Sequence, residues 1–201
     1  MLFNASLSSG HGSPKKVGAV QPLFSSMASV TVGGTQQYIF FGTGSDLLPS
    51  NGVNQAYQLI GFLDDGVTGQ QSFTLNLTAV ANGTADEEKV TAFPAVAGDI
   101  VFFTSTTFHA ATPCVMPDAT LYALTYIGGA AYDTTGDGGL SGADSVKAKT
   151  VTGARATAPF VVDQHLFFSA GTKAEMFGDP NDYNNGVGQV GVRILSWREV
   201  R

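Results

Sequence analysis

Apolar residues along this chain fall in short runs cut by Gly, Pro, Asn and Asp. Ile100, Val101, Phe102 and Phe103 form one such run. It is β-branched and aromatic, and too short for an ordinary helix, so it predicts a buried strand. Gly98-Asp99 just before it is a turn signal. Leu121–Ile127 is a second run, bounded by Gly128-Gly129. Together they make the stretch Val90–Gly128 a proline-led turn, a strand, a loop and another strand. Elsewhere, strands are expected at Tyr38–Gly42, Ala56–Leu63, Ser72–Val80, Val146–Thr152, His165–Ser169, Ala174–Phe177 and Gln189–Trp197. Phe73, Leu75 and Leu77 alternate with polar residues, as do Val190, Val192 and Ile194. Val17–Val32 holds apolar residues without a clear period. Residues 1–20 are Ser/Gly-rich and read as a loop or entering linker, with one β-domain over 21–201.

The runs are copied. Tyr38-Ile39-Phe40-Phe41, Ile100-Val101-Phe102-Phe103 and His165-Leu166-Phe167-Phe168 all end in a phenylalanine pair, spaced by 62 and then 65 residues. Ala92–Ser105 and Thr157–Ala170 share more: Pro94 and Pro159 each stand eight residues before the pair. The first copy is looser, with polar residues inserted in VTVGGTQQYIFFGTG. A regular unit of strands and turns predicts the blade of a β-propeller. The expected fold is therefore all-β, a partial β-propeller of about three four-stranded blades, with a β-sandwich as the alternative. Rings close with about four to eight blades. On this reading the chain works with the rest of a larger propeller, as an excised piece or with a partner.

Composition narrows the classes. Charged residues are 13% of the chain, against roughly 25% in a typical soluble domain. Uncharged polar residues and 25 glycines fill the difference, as in secreted or cell-surface β-proteins. A net charge of −6 and a pI near 4.8 exclude a nucleic-acid-binding face. No run of about 18 apolar residues predicts a membrane-spanning helix, and the alternation of an outer-membrane barrel is not sustained. The start, MLFNASLSSGHGSPKK, lacks the layout of a signal peptide. Cys114 has no second cysteine with which to form an internal disulfide, so it is a small buried residue or pairs outside the chain.

The strongest candidate for chemistry is DTTGDGGLSGAD, Asp133–Asp144. In outline it fits a twelve-position calcium loop. Calcium wants oxygen ligands. Asp133, Asp137 and Asp144 would supply carboxylates, Thr135 a hydroxyl, Gly139 a main-chain carbonyl and Ser141 a bridging water. Gly138 would allow the sharp turn. The flanks read as strand or irregular, so this is not an EF-hand, and the plain alternative is an Asp/Gly-rich surface loop. Asp179–Gly186 is a second acidic loop, read as a turn on its Asn185-Gly186 hairpin signal. His11, His109 and His165 lie far apart, and His109 is five residues from Cys114 with no further ligand nearby in sequence. There is no G-x-S-x-G, no P-loop and no dinucleotide fingerprint. No catalytic residue and no enzyme activity are expected.

IFFGTGSDLL (Ile39–Leu48), NQAYQLIGFLDDG (Asn54–Gly66), the Val90–Gly128 stretch with its Pro113-Cys114 loop and Leu121-Tyr122-Ala123-Leu124, and the terminal ILSWREV follow one another in order. That set resembles the C-terminal propeller of the PilY family, proteins of type IV pilus biogenesis and pilus-tip adhesion. The resemblance covers most of residues 38–201. It implies a β-propeller, export to the periplasm, outer membrane or cell surface, and a calcium-dependent role in pilus extension or adhesion. Partners would be pilus components or a host or abiotic surface. Two other readings stand beside it: a piece of a quinoprotein-like propeller enzyme, for which no quinone site is visible, and a structural subunit that associates with copies of itself through unpaired blade edges.

Overall fold

A computed structural model describes residues 2–3, 16–17, 21, 23–45, 56–64, 69–77, 86–109, 112, 114–162 and 165–177. Those residues hold fourteen strands and no helix. At the start, β1 (Leu2–Phe3) pairs with β2 (Lys16–Val17), so the segment read as plain linker carries a short antiparallel ladder. Three larger antiparallel sheets follow in chain order, and no barrel closes among the described residues.

The first sheet is a meander of β3 (Ala28–Val32), β4 (Gln36–Gly42), β5 (Gln58–Asp64) and β6 (Gly69–Asn76). The second holds β7 (Glu87–Lys89), β8 (Ala95–Ala97), β9 (Ile100–Phe108), β10 (Asp118–Thr125) and β11 (Lys147–Val151). There β8, β9, β10 and β11 make the meander, and β7 shares with β8 the outer edge of β9. The third sheet is β12 (Phe160–Val162), β13 (His165–Ala170) and β14 (Lys173–Phe177). The fold is all-β as expected, with three sheets rather than the two of a sandwich. The strand expected at Gln189–Trp197 lies outside the described residues.

Each phenylalanine pair sits in the second strand of its meander. Phe40 pairs across to Ala28, Phe102 to Ala95 and Phe167 to Phe160. The last two partnerships span the same seven residues, because both hairpins leave two residues between Ala97 and Ile100 or between Val162 and His165. In the first sheet the hairpin turns through Gly33-Gly34-Thr35, between Val32 and Gln36, and its arms are longer. This explains the looser first copy: the polar residues lengthen one hairpin without moving the phenylalanines off the second strand.

Neighbouring residues on a strand face opposite ways, so each pair serves two interfaces. Phe40 and Phe103 are buried together between the first and second sheets, with Tyr57, Leu59, Phe73, Val101, Tyr122 and Leu124. Phe102 and Phe168 are buried between the second and third, with Leu121, Leu166 and Phe177. Phe41 packs on the far side of the first sheet with Ile60 and Phe62. Wherever a neighbouring sheet is present, the first Phe of a pair faces the following sheet (Phe40, Phe102) and the second the preceding one (Phe103, Phe168). The sheets therefore stack in chain order, and β8 lies against β3 on one side and β12 on the other.

Close approach fixes the first interface. Gly42 passes Val90 so tightly that a Cβ would stand 2.4 Å from the valine side chain. Val90 donates its N–H to the Thr43 carbonyl at 3.1 Å. Tyr126, just past β10, lays its ring against Tyr38 and Phe40 and donates its hydroxyl to the Gly98 carbonyl at 2.6 Å. Burial and the charge of Asp99 push that phenol up to about 12. The second interface carries polar ties: Thr104 donates to the Thr157 carbonyl at 2.6 Å, and Lys149 meets Glu175 at 2.8 Å.

Candidate functional site

The loop after β10 leaves and re-enters the sheet at one residue. Ala131 donates its N–H to the Ala123 carbonyl at 3.2 Å, and Ala123 donates to the Val146 carbonyl at 3.0 Å. Everything between hangs from that neck, the layout of an Ω-loop. Tyr132 anchors it to the third sheet, its ring 4.5 Å from that of Phe177. Tyr132, Asp133, Gly138 and Leu140 border a cleft of about 270 Å³.

The structure brings Asp133, Thr135 and Asp144 together at the neck, but as a hydrogen-bonded clasp. Asp133 Oδ1 accepts from the Gly136 N–H at 2.6 Å and from the Thr135 N–H and hydroxyl, each at 3.1 Å. Its Oδ2 accepts from the Gly138 N–H at 2.7 Å. Asp144 reaches across to the other limb. Its Oδ1 accepts from the Thr134 N–H at 2.8 Å and the Thr135 N–H at 3.1 Å, and its Oδ2 from the Ser141 N–H at 2.7 Å. Gly136 and Gly138, at φ of 74° and 90°, turn the backbone so that these N–H groups point inward. Asp137 accepts only from the Gly139 N–H, at 3.1 Å.

Hydrogen bonds to a carboxylate favour its charged form. The Gly138 N–H, ahead of the Gly136 and Thr135 donors, holds Asp133 below its usual range against partial burial and the neighbouring charge of Asp144. The Ser141 N–H, with those of Thr134 and Thr135, brings Asp144 down to about 2. A calcium site needs those same oxygen lone pairs turned toward one point. Here they are turned toward N–H groups, and no group of three acidic, histidine or cysteine ligands gathers among the described residues. Calcium ligation by Asp133, Thr135, Asp137, Gly139, Ser141 and Asp144 would use the lone pairs that these N–H groups leave open, since each ionised carboxylate has about four acceptor sites.

The other candidates resolve singly. His109 stands between two carboxylates, with Nδ1 3.2 Å from Asp86 and Nε2 3.3 Å from Asp118, and thereby ties the start of β10 to the residue before β7. Cys114 is exposed in the loop between β9 and β10, not buried as its size suggested. His165 opens β13. His11 and the Asp179–Gly186 loop lie outside the described residues.

One polar cluster escaped the sequence reading. Glu87, Glu88 and Lys89, with no apolar residue among them, form β7 and all three are buried. Glu88 Oε1 accepts from the Ser105 hydroxyl at 2.5 Å and the Tyr122 hydroxyl at 2.7 Å, and Lys147 lies 3.8 Å from its Oε2. Lys89 pairs with Glu87 at 2.9 Å. Buried charges persist when paired and hydrogen-bonded; Glu88, Lys89 and Oε2 of Glu87 have such partners, while Glu87 Oε1 is buried without a hydrogen bond among the described residues. Burial, then the Glu88 charge, drives the Tyr122 phenol far above its ordinary value. The hydrogen bonds and ion pairs of Glu88 tie β7, β9, β10 and β11 together.

No family model, no curated protein and no solved structure matches the chain.

Proposed function

We propose that the chain is a non-enzymatic surface module, part of a PilY-like β-propeller that works in type IV pilus biogenesis or attachment outside the cytoplasm. The observation that carries the propeller reading is the placement of the three phenylalanine pairs. Each occupies the second strand of a meander, and in the middle sheet Phe103 is buried against the preceding sheet and Phe102 against the following one. Stacked meanders whose first strands lie nearest one another are the arrangement that blades around an axis require. The pilus role rests on the ordered motifs of residues 38–201.

Calcium at the Asp133–Asp144 loop is the finer part of the proposal, resting on the carboxylates of Asp133 and Asp144 that meet at the neck. Titration calorimetry separates the cases. About one ion per chain, lost in Asp137→Ala, supports a calcium-ordered loop, and no heat removes it.

The direct test of the pilus role is co-sedimentation with purified type IV pili. The reading expects the chain to pellet with the fibres beyond an inert protein of equal size. Equal recovery of the two would remove the pilus role and leave the stacked-sheet description untouched.

A further inference from the structure

The cleft at the Ω-loop has a chemical character that the clasp does not use. One part of its lining is apolar, from Ala131, Tyr132 and Leu140. Leu140 is the one large apolar residue between Asp133 and Asp144, yet it stands 56% exposed at the cleft. Covering it would take hydrocarbon out of water. Asp133 supplies the charge. Its Oδ1 already accepts from three donors, whereas Oδ2 accepts only from the Gly138 N–H and keeps room for one more.

The same lining has nothing for an anion. The N–H groups of Gly136 and Gly138 are committed to Asp133, and that of Gly139 to Asp137. No Lys, Arg or His is among the described residues that border the cleft. Lys147 and Lys149, the cations nearest in sequence, pair with Glu88 and Glu175 instead. Asp137 and Asp144 add negative charge to the loop, and the chain carries −6 in all, so cations are drawn to it. A single open acceptor beside an apolar wall suits a ligand that donates at one end and is hydrocarbon behind.

We propose that the cleft binds a primary alkylammonium group, the chemistry of a lysine side chain. The ammonium would donate to Asp133 Oδ2, and the methylenes would lie against Tyr132 and Leu140. A guanidinium is disfavoured, because its two parallel N–H bonds need both carboxylate oxygens and Oδ1 is full. The volume of about 270 Å³ falls just under the range of roughly 300–1,000 Å³ for ligand pockets, which fits a side chain or a small amine. One charge-assisted hydrogen bond and a few methylenes give a Kd on the order of 1 mM. This site goes beyond the propeller reading and rests neither on a pilus role nor on calcium.

Titration of the 201-residue chain with n-butylammonium chloride, in EGTA and followed by amide NMR shifts, tests it. Saturable shifts should centre on residues 131–140. At matched ionic strength, n-butylguanidinium and n-butanol should each bind at least about tenfold more weakly. Leu140→Lys places a resident ammonium beside the cleft at an exposed position, so the fold should survive and binding should weaken at least about tenfold. Asp133→Asn should abolish binding, and if its amide shifts show the clasp lost, Leu140→Lys decides alone. A blocked Gly-Lys-Gly peptide then identifies the source. Tighter binding than the amine assigns the site to a protein lysine, and weaker binding assigns it to a free amine. Absence of saturable shifts, equal binding of n-butanol or n-butylguanidinium, or unchanged binding in Leu140→Lys overturns the proposal.

Discussion

Asp144 keeps its charge deep into acid because three backbone N–H groups and a serine hydroxyl converge on it. Its folded pKa of about 2 lies below the ordinary 3.8. A depressed carboxylate contributes stability that is fully present above the ordinary value and is lost as pH falls through the folded one. Asp144→Ala should therefore melt lower than the wild type at neutral pH, and the gap should close between about pH 4 and pH 2. Thermal melts across that range check it, and a gap independent of pH would show that the carboxylate is not the clasp. The acidic residues of this loop were plain in the sequence. Their partners were not, since metal and N–H donors ask for the same Asp/Gly spelling and only the direction of the backbone tells them apart. Glu87, Glu88 and Lys89 were not legible as a buried strand for a related reason: the partners of Glu88, Ser105, Tyr122 and Lys147, are distant in sequence.

At the scale of elements, the strands with dense apolar runs were legible: β4, β5, β9, β10 and β13 fall where the pattern put them. Those that failed had little to show. In β3, Ser29 and Thr31 alternate with Ala28, Val30 and Val32, a half-buried edge of small residues. β7 is wholly charged, and β8 and β12 are three residues each. Their strand character comes from the hairpin that Pro94 or Pro159 leads into, more than from their own composition. The junction between elements is equally specific. At Gly42 any larger residue drives into Val90, and the neighbouring Thr43–Val90 hydrogen bond leaves the two strands little room to separate. Gly42→Ala should cost about 1–3 kcal/mol, the usual range for overpacking a close contact. Urea denaturation measures it, and a neutral substitution would mean that the first two sheets are not held this closely.

At the scale of the molecule, the sequence showed that units repeat but not how they face one another. The 62- and 65-residue spacings fix the copies. Which Phe of each pair faces which side of its sheet depends on the stacking order, which no local pattern encodes. That assignment is the account's central claim, and it makes the three pairs energetically unequal in a defined way. Phe102 and Phe103 are both fully buried, on opposite faces of the middle sheet, whereas Phe167 lies on the outer face of the last. The most direct measurement is equilibrium denaturation of Phe102→Ala, Phe103→Ala and Phe167→Ala. The account predicts losses of about 3–5 kcal/mol for each of the first two. For Phe167→Ala it predicts about 1 kcal/mol or less. A Phe167→Ala loss as large as that of Phe102→Ala, or a small loss at either Phe102 or Phe103, would contradict it.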